Sequence, residues 1–390
     1  MSVFAIFAER IFTPQREIRD AIVIVEGSRI TAAGPRDEVA VPAGAKRVDA
    51  RGLTLIPGFV DVHVHGAGGH DVMEATPEAL NAVAETLARG GTTSFLATTV
   101  TAAPDALCQS AAGIAKYIST QSQNGAPPKP SAEILGIHFE GPFISPARRG
   151  VHPAEWIAAS SPALLARMLD SAAGTARILT LAPEIPGGLA LVDAARKAGI
   201  VAAMGHTDAT YEQAIDAIAH GARHAAHVFN AMRPFSHRDT GVLGAVLTSP
   251  QVTAELIADG VHVDEAAMKL LLSSKPGAVI LVSDGTAATG MPDGKYRLGN
   301  FDVQVTDGVV RNSEDKLAGS ALTLDRALRN IVALGVPIDE AVRMLTLYPA
   351  RLLGLDSRKG VIAAGADADL VFLDSQLQIS KVVTRGRGLD

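Results

Sequence analysis

The sequence predicts an α/β protein, a (β/α)8 TIM-like barrel with a small discontinuous β-sandwich domain formed by the two termini. Three observations lead there. Strand-like and helix-like segments alternate through the middle of the chain, the pattern of a parallel sheet wrapped by helices. Short strand signals without intervening helices stand at both ends. Side chains able to ligate a metal gather at the ends of the central strands, where barrels of this kind carry their chemistry.

The elements follow in order. Val3 to Phe7, Ala21 to Val25 and Arg29 to Ala33 read as strands, separated by the turn residues Glu26-Gly27-Ser28 and Gly34-Pro35. The C-terminus repeats the pattern in Ala368 to Leu373 and Ser380 to Thr384. Neither set can fold alone, so the two ends are expected to pair and satisfy each other's edges. This divides the chain into 1–53, a barrel over 54–355, and 356–390.

The first barrel strand is the apolar run that ends in Asp61-Val62-His63-Val64-His65. Thr76-Pro77 supplies an N-cap and a first-turn proline, and Leu80, Val83, Ala84 and Leu87 recur at helical spacing until Gly90-Gly91. Further strands are expected at Thr92 to Val100, Ala132 to Phe139, Ile178 to Pro183, Ile200 to His206, His224 to Phe229, Val252 to Ala258 and Ala278 to Asp284. Helices are expected at Asp105 to Gln121, Tyr211 to His220, Glu265 to Ser273, Leu322 to Leu334 and Asp339 to Leu353. Asn124 to Pro128 reads as an exposed linker, and Met291 to Ser320 as a hairpin excursion.

Bulk properties bound the function. At 390 residues, 47% hydrophobic and 19% charged, the chain can bury a large core and is not disordered by composition. A net charge of -6 with dispersed basic residues offers no footprint for nucleic acid or a membrane surface, so a small anionic substrate would need a local basic cluster. The single Cys108 excludes an intramolecular disulfide and a thiolate metal site. The N-terminal MSVFAIFAER has no basic n-region, and no apolar run approaches the roughly 18 residues of a membrane span. The expectation is a cytoplasmic protein.

Side chains alternate along a strand, so His63 and His65 share a face and can grip one cation. His138 and Glu140 end the third barrel strand, His206 the fifth, His227 the sixth and Asp284 the eighth. A divalent metal pair fits this inventory, with His63, His65, Glu140 and Asp284 around one ion and Glu140, His206 and His227 around the other. Glu140 would bridge them, because the strand Glu133 to Glu140 contains no lysine that could be modified for that purpose.

The runs His138-Phe139-Glu140-Gly141-Pro142-Phe143, Gly205-His206-Thr207, His227-Val228-Phe229-Asn230-Ala231-Met232, Asp259-Gly260-Val261-His262 and Leu281-Val282-Ser283-Asp284 resemble the N-acetylglucosamine-6-phosphate deacetylase family of the amidohydrolase superfamily. The resemblance extends to Gly365-Ala366-Asp367-Ala368-Asp369-Leu370-Val371 near the C-terminus. It implies Asp284 as the catalytic acid/base, and His152 as a residue that contacts the sugar and steadies the carbonyl oxygen. It places the phosphate among Asn230, Ala231, Arg238 and His262. From the residues alone, His152 reads equally well as an exposed loop histidine and Arg238 as part of a solvated loop. Family members with the His-x-His pair can bind two metals and those without it work with one, so one or two ions are expected here, zinc first, with iron, manganese or cobalt as alternatives. The resemblance further implies a homodimer in which Arg238 reaches the partner's phosphate site, and a role in amino-sugar catabolism or cell-wall recycling. Two other readings stand beside it: the same reaction on the galactosamine epimer, and a non-catalytic scaffold that has kept the fold. His70, His220, His224 and His237 read as surface residues or as residues behind the ligands.

Overall fold

The computed structural model describes residues 2–121 and 129–390, so the expected linker from Asn124 to Pro128 lies outside the described residues. Eight parallel strands form the barrel: Phe59–Val64, Thr92–Thr99, Glu133–Glu140, Ala176–Leu181, Val201–Met204, His224–Ala225, Thr253–Leu256 and Val279–Leu281, hydrogen-bonded in that order. Every residue of the first two is buried, as a sheet covered on both faces requires. The first and last strands meet at a single bridge between Val64 and Gly285. There the Asp284 N–H donates to the His63 carbonyl (2.9 Å) and the His65 N–H to the Gly285 carbonyl (2.7 Å). The barrel therefore closes at the level of its candidate ligands.

Local chemistry sets the helices. In Pro77–Arg89 the Thr76 hydroxyl accepts from the Ala79 N–H, proline fills the first turn, and Leu80, Val83, Ala84 and Leu87 form the buried face. Where one helix was expected from Asp339 to Leu353 there are two, Ile338–Leu345 and Leu347–Leu352. Pro349 explains the break, since it has no N–H for the Leu345 carbonyl and its ring would crowd that oxygen. The expected excursion is a three-stranded antiparallel sheet, Gly294–Leu298, Phe301–Thr306 and Val309–Asn312, whose Leu298, Val303, Val305 and Val310 pack with Val100. No helix among the described residues is long and apolar enough to cross a membrane.

The two ends of the chain share one six-stranded sheet, in the order Ile379–Val383, Leu370–Leu373, Lys46–Pro57, Val3–Phe12, Glu17–Glu26, Arg29–Pro35. One face joins the main core, while the other buries Ala5, Phe7, Ile22 and Ile24 beneath Val39 and Ala45. Lys46–Pro57 has no counterpart among the expected strands. It runs past residue 53 and enters the first barrel strand through Gly58, where a Cβ would lie 2.1 Å from Thr93 Oγ1.

The sheet is locked to the barrel by a buried ion cluster. Lys359, 1% exposed, places Nζ 2.7 Å from Glu133, 2.8 Å from Asp367 and 2.7 Å from Asp369. Arg358 joins Glu133 and Asp367, and Arg29 lies 2.7 Å from Asp367. Burial pushes Glu133 up, but the Lys359 and Arg358 charges hold its pKa down to about 2. Removing one partner strands the others in a dry site, so Lys359→Met is expected to cost about 3–5 kcal/mol in urea unfolding. A depressed carboxyl pKa stabilises the fold fully above the unfolded value of 4.5 and loses that contribution as pH falls toward about 2. Acid titration of stability should therefore fall off through that window, and less steeply in Glu133→Gln.

Candidate metal centre and active site

Glu140, 3% exposed at the end of the third barrel strand, is ringed by imidazoles. The Nε2 atoms of His63 (3.4 Å), His65 (3.4 Å), His152 (3.2 Å), His206 (3.2 Å) and His227 (2.8 Å) all face its oxygens. Asp284 lies 3.2 Å from His65 Nε2 and 3.7 Å from His63 Nε2. The seven residues thus form one cluster, including His152, which is buried rather than exposed.

What each ring does follows from what its other nitrogen touches. His65 Nδ1 donates to the Thr98 carbonyl (3.0 Å) and His206 Nδ1 to the Arg148 carbonyl (2.9 Å), while His63 Nδ1 donates to the Glu255 carboxylate (2.8 Å). In these three, Nε2 is left as a lone pair aimed at the carboxylates. His152 is the reverse: its Nδ1 accepts from the Thr101 N–H (3.3 Å), so the proton sits on Nε2 and points into the site. Burial, then the charge of His206, pushes the His152 pKa down to about 4, which keeps that ring a neutral donor.

The cluster fits a divalent cation. His63 Nε2 is buried without a hydrogen-bond partner, and the carboxylates opposite the lone pairs are acceptors as well. Three imidazole-carboxylate groups with mutually close donor atoms fall within this cluster: His63 with His65 and Asp284, His63 with Glu140 and His227, and Glu140 with His152 and His206. Burial opposes a charge on His65, yet its hydrogen bonds to Asp284 and Glu140 push its pKa up to about 9. This junction demands positive charge, and a divalent metal held by imidazole and carboxylate supplies it.

The backbone is strained at the same place. His206 (φ 48°), His227 (24°), Phe229 (81°), Ala231 (50°) and Asp284 (49°) occupy the left-handed side although none is glycine. These turns end the ladders early: the sixth strand pairs only at His224 and Ala225 instead of reaching Phe229, which leaves His227 on the rim.

A cavity of about 260 Å³ opens beside the cluster, lined by His65, Glu140, His152, Asn230, His262 and Asp284, with Ala231 on the same wall. His262 Nδ1 donates to Asp259 (2.7 Å). Arg238 is not brought there. It is exposed and lines a separate cleft with Tyr211, Arg233 and His237. A larger hollow of about 640 Å³ beside Lys116 and Tyr117 gathers no ligand group among the described residues.

Sequence reading missed two buried carboxylates, Asp61 and Glu255. Asp61 shares the inward register of His63 and His65 and accepts from the Ser283 hydroxyl (2.5 Å) across the closing seam, while burial pushes its pKa up to about 7. Glu255 is the one charged residue in the strand Thr253–Leu256, and that isolation was the available signal. His138 is not at the cation: its Nδ1 donates to the Val62 carbonyl (2.9 Å), and its Nε2 faces the Thr180 hydroxyl (2.7 Å). Burial pushes its pKa down to about 3.

The amidohydrolase family model matches residues 54–388. Among similar proteins, N-acetylglucosamine-6-phosphate deacetylase of Lysinibacillus sphaericus is 37% identical over 88% of this chain and 87% of its own. N-acetylgalactosamine-6-phosphate deacetylase of Escherichia coli O157:H7 is 37% identical over 97% of both. The solved structure of a point mutant of the Mycobacterium smegmatis N-acetyl-D-glucosamine-6-phosphate deacetylase, in complex with N-acetyl-D-glucosamine-6-phosphate, superposes with a TM-score of 0.91 at 38% identity and covers all of both chains. A metal-ligand cluster at the mouth of an eight-stranded barrel, a family model spanning most of the sequence and relatives of full length at this identity have one reading: the chain belongs to the amidohydrolase family.

Proposed function

We propose that this chain is a metal-dependent deacetylase that hydrolyses N-acetyl-D-glucosamine 6-phosphate to D-glucosamine 6-phosphate and acetate. One observation carries the reading: a single cavity joins the imidazole-carboxylate cluster to the wall formed by Asn230, Ala231 and His262. A cavity of about 260 Å³ shared by the two supports a small substrate that reaches from the cluster to that wall. The named activities of the similar proteins support it. The full convergence of ligands argues against a scaffold. A second reading, the galactosamine epimer as substrate, is favoured by the Escherichia coli relative. Parallel turnover of the two 6-phosphates separates them.

His63, His65, Glu140 and Asp284 would hold one ion, and Glu140, His206 and His227 another, with zinc first and iron, manganese or cobalt as alternatives. When bound, such an ion lends Lewis acidity to a carbonyl oxygen and acidifies water. The chain's own groups do the rest. His152 donates its Nε2–H to the amide carbonyl oxygen as charge develops there. Asp284 accepts the proton of the attacking water and passes it to the amine as the C–N bond breaks, so one carboxylate serves both halves of the reaction. Asn230, Ala231 and His262 hold the phosphate end. The family resemblance assigns the arginine fork that matches phosphate geometry to Arg238 of a second subunit, and the place of Arg238 in a different cleft within one chain supports that reading. The protein acts as a homodimer.

Asp284→Asn should fold and bind the substrate but lose at least about a hundredfold in kcat, and near-normal turnover would refute its role. Chelation should abolish acetate release and added divalent metal restore it. His206→Gln should then be more damaging than His63→Gln, and equal total loss would mean that both ion sites are required. Mixing Asp284→Asn with Arg238→Ala and letting dimers reassemble should recover roughly a quarter of wild-type activity, because half the dimers are mixed and each has one complete site. Recovery no better than the parents' average would place Arg238 in its own chain's site.

A further inference from the structure

Behind the ligands lies a buried relay that the proposed reaction does not use. Glu255 and His224 are both 0% exposed. The Glu255 Oε2 atom accepts from His63 Nδ1 (2.8 Å) and from the backbone N–H of His227 (2.9 Å), and Oε1 accepts from His224 Nε2 (2.8 Å). His224 Nδ1 in turn meets the Thr253 hydroxyl (2.7 Å). Both oxygens of this carboxylate are thus used on a ring or on the chain that carries a ring.

We propose that Glu255 is the positioning residue of His63: it fixes the ring as the Nδ1–H form and so aims an unprotonated Nε2 at the cation shared with His65 and Asp284. The inference rests on the metal-dependent reading above. It also accounts for the contrast among the rings. His65 and His206 are oriented by backbone carbonyls, which the fold supplies whatever the side chains, whereas His63 depends on a side chain from the seventh strand, next but one to its own across the closing seam. Such partners of metal-bound histidines are worth 10–100-fold in metal affinity.

The test is zinc affinity of the purified full-length protein, measured by chelator competition. Glu255→Asp withdraws the acceptor from His63 and should weaken zinc binding 10–100-fold. Glu255→Gln should stay within about threefold of wild type, because its carbonyl oxygen can face His63 and the His227 amide while His224 shifts its proton toward Thr253. In a His63→Gln background, Glu255→Asp should cost less than about threefold, since its effect passes through the missing ring. Should Glu255→Asp fail to fold, 15N spectra of the wild-type imidazoles decide, and His63 must carry its proton on Nδ1. Undiminished affinity in Glu255→Asp, equal losses in both backgrounds, or a proton on Nε2 overturns the assignment. Wild-type protein that takes up none of zinc, iron, manganese and cobalt removes the metal-dependent reading with it, whereas zinc-binding protein indifferent to Glu255 removes this inference alone.

Discussion

A carboxylate inside a dry barrel costs several kcal/mol unless positive charge or hydrogen-bond donors face it. Glu140 is such a group, and the surrounding architecture answers to it. Five imidazoles from four places in the sequence converge on its two oxygens. Convergence of that kind needs strands that end at one rim, which a parallel barrel supplies. It also needs turns sharp enough to direct side chains inward from that rim, and these are bought with left-handed backbone at His206, His227 and Asp284.

The rings differ in function because their outer nitrogens differ in partner. Backbone carbonyls behind His65 and His206, and a carboxylate behind His63, turn lone pairs toward the cation site. A backbone N–H behind His152 turns a proton toward it. One residue type thus supplies both ligands and a hydrogen-bond donor within a few ångströms, and the group behind each ring assigns its role. The closing seam contributes as well, since Asp61 and Ser283 join the first and eighth strands just below His63 and Asp284. Barrel closure and ligand placement are the same event.

Much of this was legible in the chain, for identifiable reasons. The alternation of strands and helices and the period-two spacing of His63 and His65 are local signals, and local signals survive folding. The capped start of Pro77–Arg89 is equally local. Lys46–Pro57 escaped because charged residues fill its first half, which reads as a loop until its neighbours in the sheet are known. The sixth strand was read too long, because nothing in its composition announces positive φ at His227 and Phe229. Asp61 and Glu255 carry no motif, and their meaning lies in which residue meets them from neighbouring strands around the closing seam. The position of Arg238 in a separate cleft is a matter of folded geometry that spacing along the chain does not encode.

The sheet shared by the two ends has a consequence for how the molecule comes into being. Lys46–Pro57 takes Val3–Phe12 on one edge and Leu370–Leu373 on the other, so a strand that leads directly into His63 has half its neighbours at the far end of the polypeptide. Lys359, Asp367 and Asp369 belong to the same late segment. During synthesis the N-terminal strands emerge first and must wait, with an open edge, for almost the whole chain to leave the ribosome. Pairings so distant in sequence form slowly. Until they form, the unpaired edge of Lys46–Pro57 is open to chaperones and to other copies of the chain.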